Sequence, residues 1–190
     1  MSCSPKAVVL LGADRVGKST LAKNAAYSLT QNNFTATLLH FSGPKPHHSS
    51  PIEQYIEPFD KALESHPEFI ICDRGFSEVC FYEKFRRQVD LSEEWANAAE
   101  SYFLKKATVS LFLIEREWEL CKKDHIEEII SLNPDSSAWW IRNQLLAREA
   151  EHHAYYTYMH DYLKIRSLVP YTRLLNLPID FALLDLIPGV

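Results

Sequence analysis

Apolar and polar positions follow two different periods along the chain, and together they predict an α/β fold. Short apolar runs typical of buried strands occur at about residues 6–12, 35–41, 69–73, 109–114 and 172–177. Helical stretches lie between them, at about 18–31, 52–65, 76–89, 92–106 and 137–166, with a charged helix and loop over 115–136. Strands that alternate with helices favour a parallel sheet with helices on both faces.

Length and composition indicate one folding unit. The chain has 190 residues, of which 46% are hydrophobic and 24% charged. A chain of this size can bury a full core without dividing into independent parts. We therefore expect a single domain over residues 1–190.

The charge balance and the absence of certain patterns restrict the partners. A formal net charge of -5 argues against a protein that holds long nucleic acid, because such proteins neutralise many phosphates with a basic stripe. No apolar run approaches the ~18 residues of a membrane span, and Met1 to Lys6 lacks the pattern of a signal peptide. The four cysteines form no C-x-x-C pair. We expect a cytoplasmic protein with small-molecule ligands and no membrane partner.

A glycine-rich loop is the strongest chemical signal. Residues 12–19 read GADRVGKS and match G-x-x-x-x-G-K-[ST], the loop whose backbone N–H groups surround nucleotide phosphates. Lys18 would reach the β and γ phosphates and Ser19 would bind Mg2+, although an ordinary turn between a strand and a helix is the alternative. The predicted ATP-binding residues are Gly12, Ala13, Asp14, Arg15, Val16, Gly17, Lys18, Ser19 and Thr20.

An acid and an arginine follow the third apolar run. Asp73 and Arg74 stand at the carboxyl end of that predicted strand. There Asp73 could reach Mg2+ together with Ser19, and Arg74 could hold a second anion. The alternative is that Asp73 only caps the helix that follows.

Two motifs together resemble thymidylate kinase of the eukaryotic type. They are G-x-D-R-x-G-K-S-T at residues 12–20 and the pair Asp73-Arg74 with the FSEVCF run at 76–81. The resemblance covers roughly residues 7–166. It implies the P-loop fold of the nucleoside monophosphate kinases, with a five-stranded parallel sheet flanked by helices. It also implies transfer of the γ-phosphoryl group of ATP to a deoxynucleoside monophosphate such as dTMP, with Mg2+, and a homodimer through the helices near 76–106.

The resemblance also assigns catalytic roles. The acid that matches Asp14 contacts the 3'-hydroxyl side of the acceptor sugar, and the arginine that matches Arg15 stabilises the transferring phosphoryl group. Cations are also what the chemistry requires, because donor and acceptor phosphates repel each other. The predicted catalytic residues are Lys18, Arg15, Asp73 and Arg74. A solvated loop side chain is the alternative for Arg15.

The acceptor side departs from this family. Thymidylate kinases carry an arginine after the second strand that grips the acceptor phosphate, and here only Lys45 could replace it. A lysine lacks the planar fork of an arginine, so it would bind a phosphate less directionally. The sequence leaves the base open. The predicted substrate-binding residues are Asp14, Phe41, Lys45, Tyr55, Arg74 and Phe81.

The charged segment 115–136 occupies the position of the lid that closes over ATP in nucleotide kinases. Arg116 and Lys123 are the lid candidates, and a plain solvated helix is the alternative.

Three other functions stay open. A deoxynucleoside kinase would need a general base for its hydroxyl acceptor, and no carboxylate lies between His40 and Ser50. A GTP-driven switch would carry N-K-x-D, which the sequence lacks. A non-catalytic ATP-binding module is the third.

Overall fold

One parallel sheet forms the centre of the structure, a computed structural model that describes residues 4–41, 51–88, 93–178 and 181–187. Its strands are β1 (Lys6–Leu11), β2 (Ala36–His40), β3 (Phe69–Asp73), β4 (Thr108–Glu115) and β5 (Tyr171–Leu175). They lie in the order β2-β3-β1-β4-β5, and every neighbouring pair is parallel. The predicted α/β fold with a five-stranded parallel sheet is therefore confirmed.

Helices connect the strands, as the sequence predicts. They are α1 (Lys18–Gln31), α2 (Pro51–Glu64), α3 (Ser77–Arg87), α4 (Glu93–Lys106), α5 (Trp118–Leu132) and α6 (Ala138–Ile165), followed by a 3-10 turn at Leu183–Leu186. The turn-rich passage 42–50 lies outside the described residues. Within the described part, none of the helices is long and apolar enough to cross a lipid bilayer.

The middle strands are apolar because both of their faces are covered. Every residue of β3 is buried, and in β1 only Lys6 is partly exposed. The edge strands β2 and β5 are more polar and more exposed. Such a burial pattern is what a parallel sheet between two helical layers requires. It places β1 and β3 side by side at the centre of the molecule.

The register of these two strands brings the predicted motifs together. Leu10 of β1 pairs with Asp73 of β3, and the Arg74 N–H donates to the Leu10 carbonyl oxygen at 3.1 Å. Arg74 has a φ of 89°, a left-handed conformation that is rare in residues other than glycine. The glycine-rich loop and the Asp73-Arg74 pair thus leave the sheet at the same edge.

A buried carboxyl group ties these two chain segments together. Glu78, only 1% exposed, accepts the Gly12 N–H at 3.1 Å and the Gly75 N–H at 3.2 Å. The Tyr155 hydroxyl of α6 donates to the same carboxyl group and also accepts from the Gly12 N–H at 2.7 Å. Burial raises the pKa of Tyr155 well above its usual value, so its hydroxyl stays protonated. One network therefore holds the loop, the start of α3 and α6.

Two histidines are buried where α5 packs on α6. Their rings lie 5.0 Å (His125) and 5.6 Å (His152) from the Trp118 ring. Both Nδ1 atoms are buried and lack a hydrogen-bond partner among the described residues. Burial lowers the pKa of His125, and it lowers that of His152 to about 4. Both rings are consequently neutral near pH 7.

We expect Glu78→Gln to destabilise the protein. A glutamine side chain has an NH2 group in place of one carboxylate oxygen, so either the Gly75 N–H, or the Gly12 N–H and the Tyr155 hydroxyl, would face a donor instead of an acceptor. An unsatisfied buried donor costs about 1–3 kcal/mol in the free energy of unfolding, measured by urea denaturation. Glu119→Gln is the matched control, because the Glu119 side chain on α5 is 72% exposed. Equal stability of the two variants would contradict the network.

We expect His152→Gln to reduce the sensitivity of stability to acid. The folded-state pKa is lowered from 6.5 to about 4, so the unfolded chain binds more protons between these values. The contribution of His152 is complete above pH 6.5 and is lost as the pH falls toward 4. Linkage gives a loss of about 2 kcal/mol between pH 7 and 5, measured by urea unfolding at both values. The control is His153→Gln, because His153 is an exposed neighbour on α6. It should lose as much stability between pH 7 and pH 5 as the wild type. An equally large loss in His152→Gln would refute the assignment of this pH dependence to His152.

Candidate functional site

The loop between β1 and α1 needs its two glycines for different reasons. A Cβ on Gly12 would lie 2.6 Å from the Ile114 carbonyl oxygen and 2.8 Å from Cγ2 of Val16. Gly17 has a φ of 94° and directly precedes α1. Because Gly17 has no side chain, the first N–H groups of α1 are not capped by it. They form the type of site where helix N-termini bind anions.

Lys18 is folded over this loop. The side chain is buried, and its ammonium group donates to the carbonyl oxygens of Gly12 and, at 2.7 Å, Ala13. Burial lowers the pKa of Lys18, and the Glu78 carboxylate opposes this effect. A phosphate bound at the loop would offer the ammonium group anionic oxygens in place of neutral carbonyls.

The loop opens into a cleft of about 590 Å³. Seven of the nine predicted ATP-binding residues, residues 14–20, line it. The other charged side chains among the described residues that line it are Arg74, Arg86, Arg116, Arg148, Asp124 and Glu128. With Arg15, Lys18 and Asp14 the cleft thus has six cationic groups and three carboxylates. This excess of positive charge suits a ligand with several negative charges.

Asp14 holds two arginines at the end of this cleft. Its Oδ1 accepts from Nη2 of Arg74 at 2.8 Å and its Oδ2 accepts from Nη2 of Arg86 at 2.7 Å. Burial alone would raise the pKa of Asp14, but Lys18 and the two arginines outweigh it and hold the pKa below its usual range. The guanidinium groups lie 5.4 Å and 4.5 Å from the Tyr82 ring centre. An ionised Asp14 therefore fixes two cations beside the glycine-rich loop.

Arg86 is a site residue that sequence reasoning missed. It also donates from Nε to Glu151 of α6 at 2.9 Å. Its signal in the sequence is helical spacing, because Glu78, Tyr82 and Arg86 are four residues apart and share one face of α3. Glu151 gives no comparable signal, since it reaches the site only through tertiary packing.

Arg15 extends from the loop to α5. Its guanidinium group pairs with both carboxylate oxygens of Glu128, with Nε 3.3 Å from Oε2. The hydrogen bond with Glu128 raises the pKa of Arg15. Arg15 also has a φ of 65°, so its backbone adopts an uncommon conformation.

The two lid candidates lie in different surroundings. Arg116 lines the cleft, and its Nη1 is 3.4 Å from Oδ2 of Asp124. The Lys123 side chain is 84% exposed and its Nζ is 3.7 Å from Glu127. Lys123 is not among the described residues that line the cleft. Of the two lid candidates, only Arg116 therefore lines the cleft as the structure describes it.

The oxygen donors predicted for a metal fit Mg2+. Ser19 lines the cleft in the first turn of α1. Asp73 is 2% exposed, its Oδ2 is 2.7 Å from Nδ1 of His40, and its Oδ1 has no hydrogen-bond partner among the described residues. A hydroxyl and an unpaired carboxylate oxygen are hard donors of the type that Mg2+ prefers. Ser19 would hold the ion, and Asp73, which is not among the described residues that line the cleft, would reach it directly or through water.

Of the predicted substrate-binding residues, the structure brings Asp14 and Arg74 together in the cleft. Phe41 and Phe81 are 3% and 4% exposed and are absent from its described lining. Phe81 instead packs among other aromatic rings of α3 and α6. Lys45 and the side chain of Tyr55 lie outside the described residues.

Comparisons with known proteins identify relatives by structure. No protein-family model matches the sequence, and no curated protein matches it. The structure is similar to polyphosphate kinase 2 from Arthrobacter aurescens TC1, with a TM-score of 0.61, 18% identity and coverage of 90% of this chain and 60% of that one. A putative polyphosphate kinase 2 from Pseudomonas aeruginosa PA01 has a TM-score of 0.58, 14% identity and coverage of 89% of this chain and 36% of that one.

A deoxyadenosine kinase from M. mycoides with bound dCTP has a TM-score of 0.46 and 12% identity, with coverage of 94% of this chain and 93% of that one. This chain spans about 60% and 36% of the length of the two polyphosphate kinases. The likeness concerns the arrangement of the sheet and its helices. The chain shares its α/β fold with the two polyphosphate kinases 2.

Proposed function

We propose that the protein is an ATP-dependent phosphotransferase that converts a deoxynucleoside monophosphate, dTMP or a related nucleotide, to the diphosphate. The observation that carries this proposal is the convergence of Arg15, Lys18, Arg74 and Arg86 on one cleft. The cleft lies beside the glycine-rich loop at residues 12–19, which we call the phosphate loop. Two phosphorylated substrates repel each other, so their reaction depends on cations between and around them. An acceptor phosphate is already ionised and needs no general base.

The donor half of the site would bind ATP. The first N–H groups of α1 and the ammonium group of Lys18 would hold the β and γ phosphates. Arg116, Leu177 and Pro178 also line the cleft, and hydrogen bonds of Asn176 with Glu115 and Glu117 bring their chain segments together. A guanidinium plane and an apolar surface suit a purine ring, which can stack on the one and contact the other. We therefore assign the adenine to this part.

The acceptor half would lie at Asp14. Arg74 and Arg86 each present a planar guanidinium fork. Nη2 of each contacts Asp14, Nε of Arg86 contacts Glu151, and each group also has the two N–H donors of Nη1. Such forks bind the oxygens of a phosphate in a defined orientation. Arg86 would therefore bind the acceptor phosphate in place of the arginine that thymidylate kinases carry after the second strand, alone or together with Lys45.

In the reaction, an oxygen of the acceptor phosphate would attack the γ phosphorus of ATP. The new O–P bond forms as the bond between the γ phosphorus and the β,γ-bridging oxygen breaks, and ADP leaves. Lys18 and Arg15 would bind the oxygens on which negative charge is spread during transfer. A bound Mg2+ would add charge neutralisation at the phosphates. Arg74 would keep the acceptor in line.

A second candidate is a phosphotransferase that uses polyphosphate. The two polyphosphate kinases 2 reported above match this structure with TM-scores of 0.61 and 0.58. The six cationic side chains of the cleft would also suit a chain of phosphates. The presence of Leu177 and Pro178 beside Arg116 favours a nucleotide as donor, because a polyphosphate chain has no apolar part.

The substrates can be identified with a panel assay. Purified protein and Mg2+ are combined with ATP or polyphosphate as donor and with each deoxynucleoside or deoxynucleoside monophosphate as acceptor. We expect ATP to support formation of a diphosphate from dTMP or a related monophosphate, detected by chromatography. Conversion of nucleosides alone would indicate a deoxynucleoside kinase. Activity with polyphosphate alone would indicate the second candidate.

We expect Arg86→Ala to impair the acceptor more than the donor. Loss of a charge-assisted hydrogen bond to a phosphate costs about 1.5–3 kcal/mol, so KM for the monophosphate should rise about 10–150-fold. KM for ATP should change less than about threefold. Lys84→Ala is the control, because Lys84 is exposed on α3 and is not in the described cleft lining. Equal effects on both KM values would contradict the assignment of Arg86 to the acceptor.

A further inference from the structure

Arg15 of the phosphate loop contacts Glu128 of α5. We infer that Glu128 is a positioning residue, which holds the guanidinium group of Arg15 over the phosphate loop so that it can meet the transferring phosphoryl group. The inference rests on the proposed function, because it assigns to Arg15 the charge stabilisation described there. It adds a residue of α5 that neither the motifs nor the resemblance indicates.

The geometry of the pair supports this role. The Nε of Arg15 is 3.3 Å from Oε2 of Glu128, and Nη2 contacts Oε1. Two parallel contacts between a guanidinium group and a carboxylate fix both the position and the plane of the arginine. A single hydrogen bond would leave the guanidinium group free to rotate about the axis of that hydrogen bond.

Without Glu128, little in the structure would hold Arg15. The Arg15 side chain is 43% exposed. Its backbone lies in a loop and has a φ of 65°. A long exposed side chain samples many rotamers, and ordering it during the reaction costs free energy. Asp14 and Asp124 attract Arg15 electrostatically, but Asp14 is already occupied by Arg74 and Arg86. Glu128 is thus the residue that orders the arginine before the substrate binds.

Glu128 is suited to this role because its own support is rigid. The neighbouring positions His125 and Ile129 are buried, as is Trp118 at the start of the same helix. The Trp118 ring lies against His125 and against His152 of α6, which anchors α5 on α6, while Glu128 lines the cleft. A positioning residue on a packed helix holds its partner more accurately than one on a loop.

The pair also leaves Arg15 able to bind phosphate. A guanidinium group has five N–H donors in a planar fork. Contacts through Nε and Nη2 occupy one edge, so the Nη1 group and the second N–H of Nη2 are directed away from Glu128. Arg15 can therefore keep its carboxylate partner and donate to a phosphoryl oxygen at the same time.

The test is a double-mutant cycle on Arg15 and Glu128. The variants are Arg15→Ala, Glu128→Gln and the double variant, with Glu127→Gln as the matched control. Glu127 is the adjacent carboxylate on α5, but its side chain is 65% exposed and contacts Lys123. ADP formation from radiolabelled ATP with Mg2+ is measured with and without dTMP, and fluorescence titration with mant-ATP gives the nucleotide affinity. Thermal melting checks that each variant is folded.

We expect Glu128→Gln to lower kcat about tenfold, because misplacement of a catalytic group by a fraction of an ångström has effects of this size. Arg15→Ala should lower kcat about 1,000-fold or more. The double variant should equal Arg15→Ala, since Glu128 acts only through the arginine. The affinity for mant-ATP should change less than about threefold in each variant, and Glu127→Gln should match the wild type.

Several outcomes would overturn the inference. A Glu128→Gln variant with wild-type or raised kcat would show that the contact is passive or inhibitory. An effect on mant-ATP affinity equal to that on kcat, or additive losses in the double variant, would show that Glu128 acts elsewhere. Formation of ADP without a deoxynucleoside diphosphate would refute the proposed function alone. The inference could then still be tested, because the rates of ATP hydrolysis by the variants can be compared. No ADP formation in the wild type would refute both.

Discussion

The site depends on a buried carboxyl group that joins two chain segments far apart in sequence. Glu78 accepts N–H groups from Gly12 and Gly75 and the hydroxyl of Tyr155. Gly12 begins the glycine-rich loop, and Gly75 directly follows the Asp73-Arg74 pair. A buried donor without an acceptor is costly, so this network restricts the relative positions of the two motifs. The cations that follow can converge because their backbones are fixed in this way.

The charged side chains of the cleft are arranged as ion pairs between arginines and carboxylates. Arg15 contacts Glu128, Arg116 contacts Asp124, and Arg74 shares Asp14 with Arg86. Each carboxylate orders an arginine and offsets part of the repulsion between the cations. Because cations outnumber carboxylates among the described lining residues, the cleft keeps a positive balance for its ligand. Order and positive charge are thus both available before a substrate binds.

The sheet and the loop could be predicted from sequence because their signals are local. Five short apolar runs separated by helical stretches specify the strands, and the spacing from Gly12 to Ser19 specifies the loop. Leu10 and Asp73 lie side by side because β1 and β3 are neighbours, which the alternation of elements makes plausible but does not specify. The contribution of Glu128 could not be predicted, since it reaches the loop across 113 residues of chain. Aromatic residues were the weakest signal, because Phe81 has the same pattern whether it packs in a core or faces a ligand.

The central claim is that two phosphorylated ligands meet in one cleft between the phosphate loop and Arg74. The most direct test is calorimetric titration with the dinucleoside pentaphosphate that joins adenosine to thymidine. This compound bridges donor and acceptor positions, so it should bind at least about tenfold more tightly than ATP, and Arg74→Ala should remove the difference. Binding no tighter than that of ATP would contradict the account.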